Sequence, residues 1–547
     1  MHVTLRRHYP LLVALLLMTA LLVWGLGDQR VVAFASKGSG EAAATAAASI
    51  ANVSNDVALF DDTLVHSIQI LVSEADYQQM ITTYKETGEK DYIHADVIID
   101  GVRINNVGLR LKGNASLRSA LGQDGGQRGM DGGQPFDRGA APAADGERPA
   151  WPEGQAPAQG EPRFRPPQEG AQEGQWQEGQ PPDPADMPQW PGAEAPPEEG
   201  AGGQAAMPFG GAPWDQTNGE ETLLPYMIKF DEFVSGQRYQ GYKLLAIRTY
   251  GASYDAAMLQ EPVTNSIFRA AGLPATQTAY TGLRLNEGEE RLYTLSEAID
   301  ETYIAQHFPS ASGVLYKAEL GANLTYQGED PSAYATRFTQ QTRVNDADLA
   351  PLIAFTRFLS ESDDATFVHE LPSYIDVDAL AGYLAANNLL VNTDSLAGMS
   401  NNYYLYYDEN DRRFTLLMWD ANESLGKLTR GAQAASYDLY YTGQQGAGPR
   451  LGGANTLATR FLADPTFRAL YEHKLQEIYQ QAFVSGGAVA QVEQYATLVR
   501  AANEERSLVA PESYEAAVAS VLDFIAQRSE YLASTELLGG LQEVAAR

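Results

Sequence analysis

Asp394, Asn401, Asn402 and Asp420 are the residues of one stretch, Asn392–Gly426, with the side chains and the placement for chemistry. Within it run Tyr403–Tyr407 and Phe414–Trp419, aromatic and aliphatic, separated by Asp408-Glu409-Asn410-Asp411-Arg412. Apolar runs on either side of turn residues specify a β-hairpin. An antiparallel hairpin sets the start of its first strand beside the end of its second. Asn401 and Asn402 are thus expected near Met418–Asp420, with Asp394 entering the same corner from the preceding segment. Carboxylate and amide oxygens are the ligands a hard cation such as Mg²⁺ takes, usually with phosphate supplying others. The same aspartates also suit a plainer task, capping the turns around the hairpin. The residue types alone leave both readings open.

The elements that must position this corner can be read upstream of it. The helical pattern Asp376–Asn392, with Leu380, Leu384 and Val391 on one face, delivers Asp394. Strands are expected at Val65–Val72, His94–Ile99, Asn106–Lys112, Pro225–Phe230, Lys243–Thr249, Thr278–Leu285, Glu290–Glu297 and Gly313–Lys317. Asp100-Gly101 is a hairpin-turn signal between the second and third of these. Ser73–Lys85 reads as a helix with Ser73 as N-cap, and Asp300–His307 as a short one. Asp255–Ala271 is helical with a stop at Gly272, and Pro262 inside it predicts a kink or a break. From Thr456 to Leu538 the pattern is amphipathic and helical, after a Gly-rich loop at Gly443–Gly453. The fold class is therefore α+β, with a mixed or antiparallel sheet and a helical C-terminal region.

Composition removes several functions. The chain has 547 residues, only 38 Lys and Arg, a net charge of −32 and no cysteine. No basic cluster offers a nucleic-acid footprint, and an anionic membrane would repel the folded part. Disulfides, thiolate metal sites and a cysteine nucleophile are excluded. Arg6, Arg7 and His8 precede an apolar run from Leu11 to Leu26, with Ala33-Phe34-Ala35 as a small-x-small site. This is the layout of a signal peptide, or of a retained signal anchor, and it places the body of the protein outside the cytoplasm. Membrane contact is expected only through that segment if it is not cleaved.

Ser36–Asn55 is rich in Gly, Ala and Ser and reads as a flexible tether, with globular sequence beginning near Ala58. Ser119–Gly219 is dense in Gly, Pro, Gln and Glu with few aliphatics. Such a segment cannot bury enough apolar area to offset chain entropy and is expected to be a disordered insertion. The boundaries are then 1–35 (signal), 36–57 (tether), 58–118 (β-rich part), 119–219 (insertion), 220–430 (core) and 431–547 (loop and helices). There is no Walker-type phosphate loop, no dinucleotide fingerprint, no zinc set and no nucleophile elbow.

The motifs that remain occur in a fixed order. Arg110-Leu111-Lys112-Gly113-Asn114-Ala115-Ser116 is followed by Ile228-Lys229-Phe230-Asp231 and Gly236-Gln237-Arg238-Tyr239-Gln240-Gly241. Then come Asp255 with Met258 and Glu261, Gly272-Leu273-Pro274, Tyr293 to Asp300, Leu315-Tyr316-Lys317, and Asn392-Thr393-Asp394 through Asn402-Tyr403 to Trp419-Asp420. Over about Val65–Leu428 this ordered set resembles the spore coat protein H (CotH) kinase family of atypical, secreted protein kinases. The resemblance implies a protein-kinase-like fold, ATP with Mg²⁺ or Mn²⁺, and an exported or surface protein as the acceptor. By kinase-like analogy it implies Asp394 as the catalytic aspartate, and Asn402, Asp420 and Asn422 as metal ligands. Lys229 would contact the phosphates, paired with Glu261. Lys317 is a second phosphate contact, Arg110 and Lys112 close over the phosphates with Asn114 assisting, and Glu297 lies at the nucleotide edge. Asn422 departs from the family's common W-D-x-D, reading Trp419-Asp420-Ala421-Asn422. An amide still coordinates through oxygen but adds no charge. A non-catalytic surface scaffold is the reading from another class.

Replacing Ser119–Gly219 by a short Gly/Ser linker should leave melting temperature and ATP affinity intact. Loop-closure entropy grows only as about (3/2)RT ln n. A collapse of either quantity would show the insertion to be structural.

Overall fold

The computed structural model of the protein describes residues 52–113, 117–118, 121, 223–249, 255–346, 348–429, 434–443 and 455–541. All of them fall within one unit of the chain, 1–138 with 219–547. The expected targeting segment, most of the tether, Asn114, nearly all of 119–219 and most of the Gly443–Gly453 loop lie outside the described residues.

The strands expected in the first half close into a barrel. β1 is Asn52–Val53, β2 Val65–Leu71, β3 Ile93–Ile99, β4 Val102–Leu111, β5 Tyr226–Lys229, β6 Arg238–Tyr239, β7 Leu244–Arg248, β8 Thr278–Leu285 and β9 Glu290–Glu297. The barrel order is β2-β3-β4-β5-β7-β9-β8. Every neighbouring pair is antiparallel except β2 with β8, the parallel pair that closes it. Closure was not legible from the strand pattern, because it pairs segments far apart in the chain. The inward alternation (Ile68, Ile70, Val97, Leu109, Leu111, Ile228, Leu245, Ile247, Leu295) forms a buried core of its own. The fold also begins earlier than the tether boundary predicted. β1 pairs in parallel with β6, and Asn55 Nδ2 donates to Tyr239 Oη at 3.1 Å.

The helix α1 (Glu74–Thr87) has Ser73 as its N-cap, as its sequence dictates. The helix α2 runs Gln260–Ala270 without the predicted break. It starts five residues later than its pattern suggested, which puts Pro262 in the first turn, where an N–H has no intrahelical partner to lose. The preceding turn is closed instead by Asp255 Oδ1, which accepts from the backbone N–H of Ala257 and Met258.

The second half adds α3 (Glu301–His307) and a four-stranded antiparallel sheet. The sheet has order β11-β10-β12-β13, with β10 Gly313–Ala318, β11 Phe338–Gln340, β12 Tyr403–Asp408 and β13 Arg413–Met418. The predicted hairpin is β12–β13, in the register Tyr403↔Met418 to Asp408↔Arg413. Around it pack α4 (Ala350–Glu361), α5 (Asp364–Tyr374), α6 (Val377–Leu389), α7 (Thr456–Ala463), α8 (Pro465–Tyr479), α9 (Gly487–Arg506) and α10 (Pro511–Ser534). A third apolar cluster joins the outer face of the barrel to this sheet: Met227 and Ala246 on one side, Leu315, Tyr404, Leu417 and Trp419 on the other. No helix among the described residues is long and apolar enough to cross a membrane.

One buried cation ties the C-terminal helices to the segment that carries Asp394. Arg528 of α10 has no exposed surface, and among the described residues its guanidinium hydrogen-bonds only to backbone carbonyls. Its guanidinium donates to the carbonyls of Asn388 and Leu389 at the end of α6 and of Ala435 and Tyr437, at 2.8–3.1 Å. The partial negative charge of a helix C-terminus thus replaces a carboxylate. Burial still pushes the guanidinium down, to about 10. Arg528→Met should lower the unfolding free energy by about 3–5 kcal/mol, since it strands four buried acceptors. Denaturant unfolding monitored by circular dichroism measures this. A loss below about 1 kcal/mol would refute the role.

Candidate active site

Asp394 stands five residues beyond the last residue of α6. The intervening chain turns through Val391, which has φ 50°, and is held by Asn392 Nδ2 on Asn387 Oδ1 at 2.8 Å. The loop after Asp394 folds back tightly. A Cβ on Gly398 would fall 1.8 Å from the Thr393 carbonyl, so only glycine permits the return. This return presents Asn401 and Asn402 to the aspartate. Asn401 Nδ2 donates to Asp394 Oδ1 and Asn402 Nδ2 to Asp394 Oδ2, both at 2.8 Å.

The hairpin register completes the corner. Asn402 and Asp420 flank the pair Tyr403↔Met418, and Trp419 N–H donates to the Asn402 carbonyl at 3.1 Å. Both adopt left-handed backbone, φ 51° and 56°. Such conformations in non-glycine residues concentrate at functional sites. Burial pushes the Asp394 carboxyl up to about 7, and the nearby charges of Asp420 and Glu423 add to that rise against the two amide hydrogen bonds.

Asp420 faces cations. Its Oδ1 pairs with Arg248 Nη2, and its Oδ2 lies 3.9 Å from Lys112 Nζ. Burial alone would raise this carboxyl, but Arg248 and Lys112 outweigh it and hold the group below its ordinary value. Arg248 ends β7, its side chain 3% exposed, and its Nε lies 2.6 Å from Glu261 Oε2. Glu261, in the first turn of α2, also accepts from Ser296 Oγ at 3.0 Å. Burial pushes its carboxyl up, with Arg248 opposing. Arg248 and Lys112 both lie over the Trp419 ring, at 4.9 and 5.2 Å from its centroid. Burial and the Arg248 charge push the Lys112 ammonium down to about 7.

The other expected site residues divide. Lys317, opposite Tyr404 in the sheet, is 3.5 Å from Glu319 Oε1, and its charge acts on both Lys112 and Asp420. Lys229 does not pair with Glu261 as predicted: its Nζ bonds Glu232 at 2.6 Å, and Arg248 takes Glu261. Lys229 of β5 and Arg110 of β4 sit over the Tyr92 ring, at 5.6 and 5.3 Å, Arg110 two residues before Lys112. Glu297 pairs with Leu245 across β7, on the barrel-core side, while its neighbour Ser296 reaches Glu261. Its carboxylate accepts from Gln277 N–H and meets His307 Nε2 at 3.0 Å. The period-two alternation thus turns the Glu297 side chain away from the face that carries Arg248. Asn422 lines a small crevice with Thr249, Gln260, Glu261 and Lys427.

Arg248 is the functional candidate that sequence reasoning missed. The signal was present: an arginine at the end of Leu244–Arg248, in phase with Ala246 on a face that must be covered, requires buried acceptors, a carboxylate being the strongest.

The donor set suits a divalent cation bound with a phosphorylated ligand. Among the described residues no group of three or more His, Asp or Glu is placed to hold an ion alone. Two carboxylates with amide oxygens and phosphate are, however, how Mg²⁺ is commonly held. Asp420 and Asn402 Oδ1 could hold it, with Lys112, Lys317 and Arg248 as the cations around that point.

Residues 217–532 match the family model described as CotH kinase protein. The inner spore coat protein H of Bacillus subtilis (strain 168) is 22% identical over 233 residues, which cover 42% of this chain and 60% of that protein. Among solved structures, the proinflammatory kinase CtkA of Helicobacter pylori aligns with a TM-score of 0.27 at 7% identity, over 55% of this chain and 90% of that one. The HipA–HipB toxin–antitoxin complex with its operator DNA, from Shewanella oneidensis MR-1, aligns with a TM-score of 0.27 at 12% identity, over 56% of this chain and 60% of that one.

A carboxyl raised in the fold stabilises while protonated, so this contribution is full below about 4 and is lost as pH climbs through about 7. Asp394→Asn removes that loss. In EDTA, the unfolding free energy of the variant minus that of the native protein should become more positive between pH 5 and pH 8, by roughly 2 kcal/mol. A difference that is flat with pH would show Asp394 to be unperturbed.

Proposed function

Since the chain belongs to the CotH kinase family, we propose that it is an exported, metal-dependent phosphotransferase that moves the γ-phosphate of ATP to hydroxyl side chains of surface proteins. The observation that carries this is the convergence of Asp394, Asn402 and Asp420 opposite Lys112 and Arg248. The Arg6-Arg7-His8 segment and the apolar run after it support export in this reading.

In this reading Asp394 orients the acceptor hydroxyl and takes its proton. Its carboxyl, pushed up to about 7, is suited to accept a proton near neutral pH. Asn401 and Asn402 fix its two oxygens, so the attacking oxygen meets one geometry. That oxygen forms the new bond to the γ-phosphorus, the bond from the γ-phosphorus to the β–γ bridging oxygen breaks, and ADP leaves with that oxygen. A bound divalent cation would neutralise phosphate charge, held by Asp420 and Asn402. Lys112 and Lys317 add positive charge on the barrel and sheet sides of the same point. The amides and carboxylates do not depend on any particular acceptor, so the protein class of the acceptor comes from the family rather than from the geometry.

A second reading, a non-catalytic scaffold, is favoured by Asn422 in place of an acidic residue and by the two cations already on Asp420. Incubation of the purified protein with γ-labelled ATP, Mg²⁺ or Mn²⁺ and generic protein acceptors separates the two. Label should transfer, and Asp394→Asn should reduce transfer at least about a thousandfold while ATP still raises the melting temperature. Mass spectrometry of the product distinguishes phosphate from nucleotide transfer. No transfer and no response of the melting temperature to ATP with metal would establish the scaffold.

A further inference from the structure

Arg248 is a buried guanidinium with more donors than partners. Nε faces Glu261 and Nη2 faces Asp420, while buried Nη1 has no acceptor among the described residues. A guanidinium carries five N–H donors in a rigid fork. Leaving part of that fork buried without an acceptor is unfavourable unless another anion completes it. The fork is also held in register. Glu261 is fixed by Ser296 from β9, and the Trp419 ring covers one face of the guanidinium. The unpartnered donor therefore belongs to a buried, pre-organised cation at the seam between barrel and hairpin, beside Lys112.

We propose that Arg248 is the residue that binds the phosphates of the nucleotide, with Glu261 as its anchor, and that Arg248 and a divalent cation compete for the Asp420 carboxylate. This rests on the phosphotransfer reading above and adds to it a residue and a coupling. In kinases the equivalent pairing is a strand lysine with a helix glutamate. Here the helix glutamate is matched by an arginine, whose planar fork grips phosphate in a bidentate way that an ammonium does not. The competition follows from the contacts. Asp420 Oδ1 is paired with Arg248, so a cation that takes that oxygen must release the guanidinium. A phosphate that accepts the released fork makes that exchange favourable. Metal and nucleotide then each bind more tightly in the presence of the other.

The test uses the full-length protein and two probes, ATP in EDTA and Mn²⁺ without nucleotide, each measured by titration calorimetry. Arg248→Met should weaken ATP at least about tenfold, because a charge-assisted pair is lost. The same variant should tighten Mn²⁺ severalfold, because Asp420 loses its internal cation. A purely structural role moves both affinities the same way, so opposite signs are the diagnostic result. Weakening of both, or no change in either, would overturn the proposal. Where Arg248→Met does not fold, the double variant Arg248→Met with Glu261→Leu removes the buried pair together, which is often tolerated, and the same two signs are required of it. Arg248→Lys keeps the charge and is the third arm. ATP should weaken about three- to tenfold with Mn²⁺ unchanged, and an unchanged ATP affinity again overturns the assignment. A native protein that binds neither ATP nor Mn²⁺–ATP refutes the phosphotransfer reading itself. Native binding with variants that behave as the native protein refutes only the role of Arg248.

Discussion

A buried ion network fixes how three parts of the chain meet. Arg248 comes from the barrel, Glu261 from the first turn of α2 and Asp420 from the end of the hairpin. None of the three charges would be tolerated alone at this depth, because an isolated buried ion is too unfavourable to persist. Each therefore specifies the position of the other two. The Lys112 ammonium is pushed down partly because Arg248 is there, and the Asp394 carboxyl is pushed up partly because Asp420 is there.

Most of the cations stand on one side of a seam, Lys317 on the sheet strand β10 being the exception. The barrel wall supplies Lys112, Arg110, Lys229 and Arg248, while the hairpin and the loop after α6 supply Asp394 and Asp420. The apolar cluster of Met227, Ala246, Leu315, Tyr404, Leu417 and Trp419 fills the seam behind them. It lowers the local dielectric, so each charge acts more strongly than it would in water. A phosphate chain laid along this seam would meet cations from one wall and carboxylate- or amide-held metal from the other.

Much of this was legible in sequence where the signal is local. The hairpin and the meeting of Asp394 with Asn402 and Asp420 follow from turn chemistry and antiparallel geometry. The Ser73 cap was equally direct. What failed was non-local. The partner of Glu261 was assigned to Lys229 by motif analogy, whereas β-sheet phase places Arg248 there and Lys229 beside Glu232. Glu297 lies on the opposite strand face from Arg248, with Gln277 and His307 as its partners. The pattern suggests a helix start at Asp255 and so an interior Pro262, whereas the Asp255 carboxylate closes a turn before the helix. The short β11 and the helices α4 and α5 carried no motif and were passed over, and barrel closure has no signature within any one strand.

That closure sets the order of events in folding. The strand β2 begins at Val65, and its parallel partner β8 begins at Thr278. A chain emerging N-terminus first must therefore hold β2, β3 and β4 through the whole of Ser119–Gly219 before the pairs that seal the sheet can form. Until then the edges of β2 and β4 present unpaired N–H and C=O groups, the feature that recruits other chains into aggregates. The long sequence separation also makes the sealing step slow. A chain with no cysteine has no covalent means of holding the early strands in place. The interval most exposed to misassembly thus lies between synthesis of β4 and synthesis of β8, and it lengthens with every residue between Leu111 and Thr278.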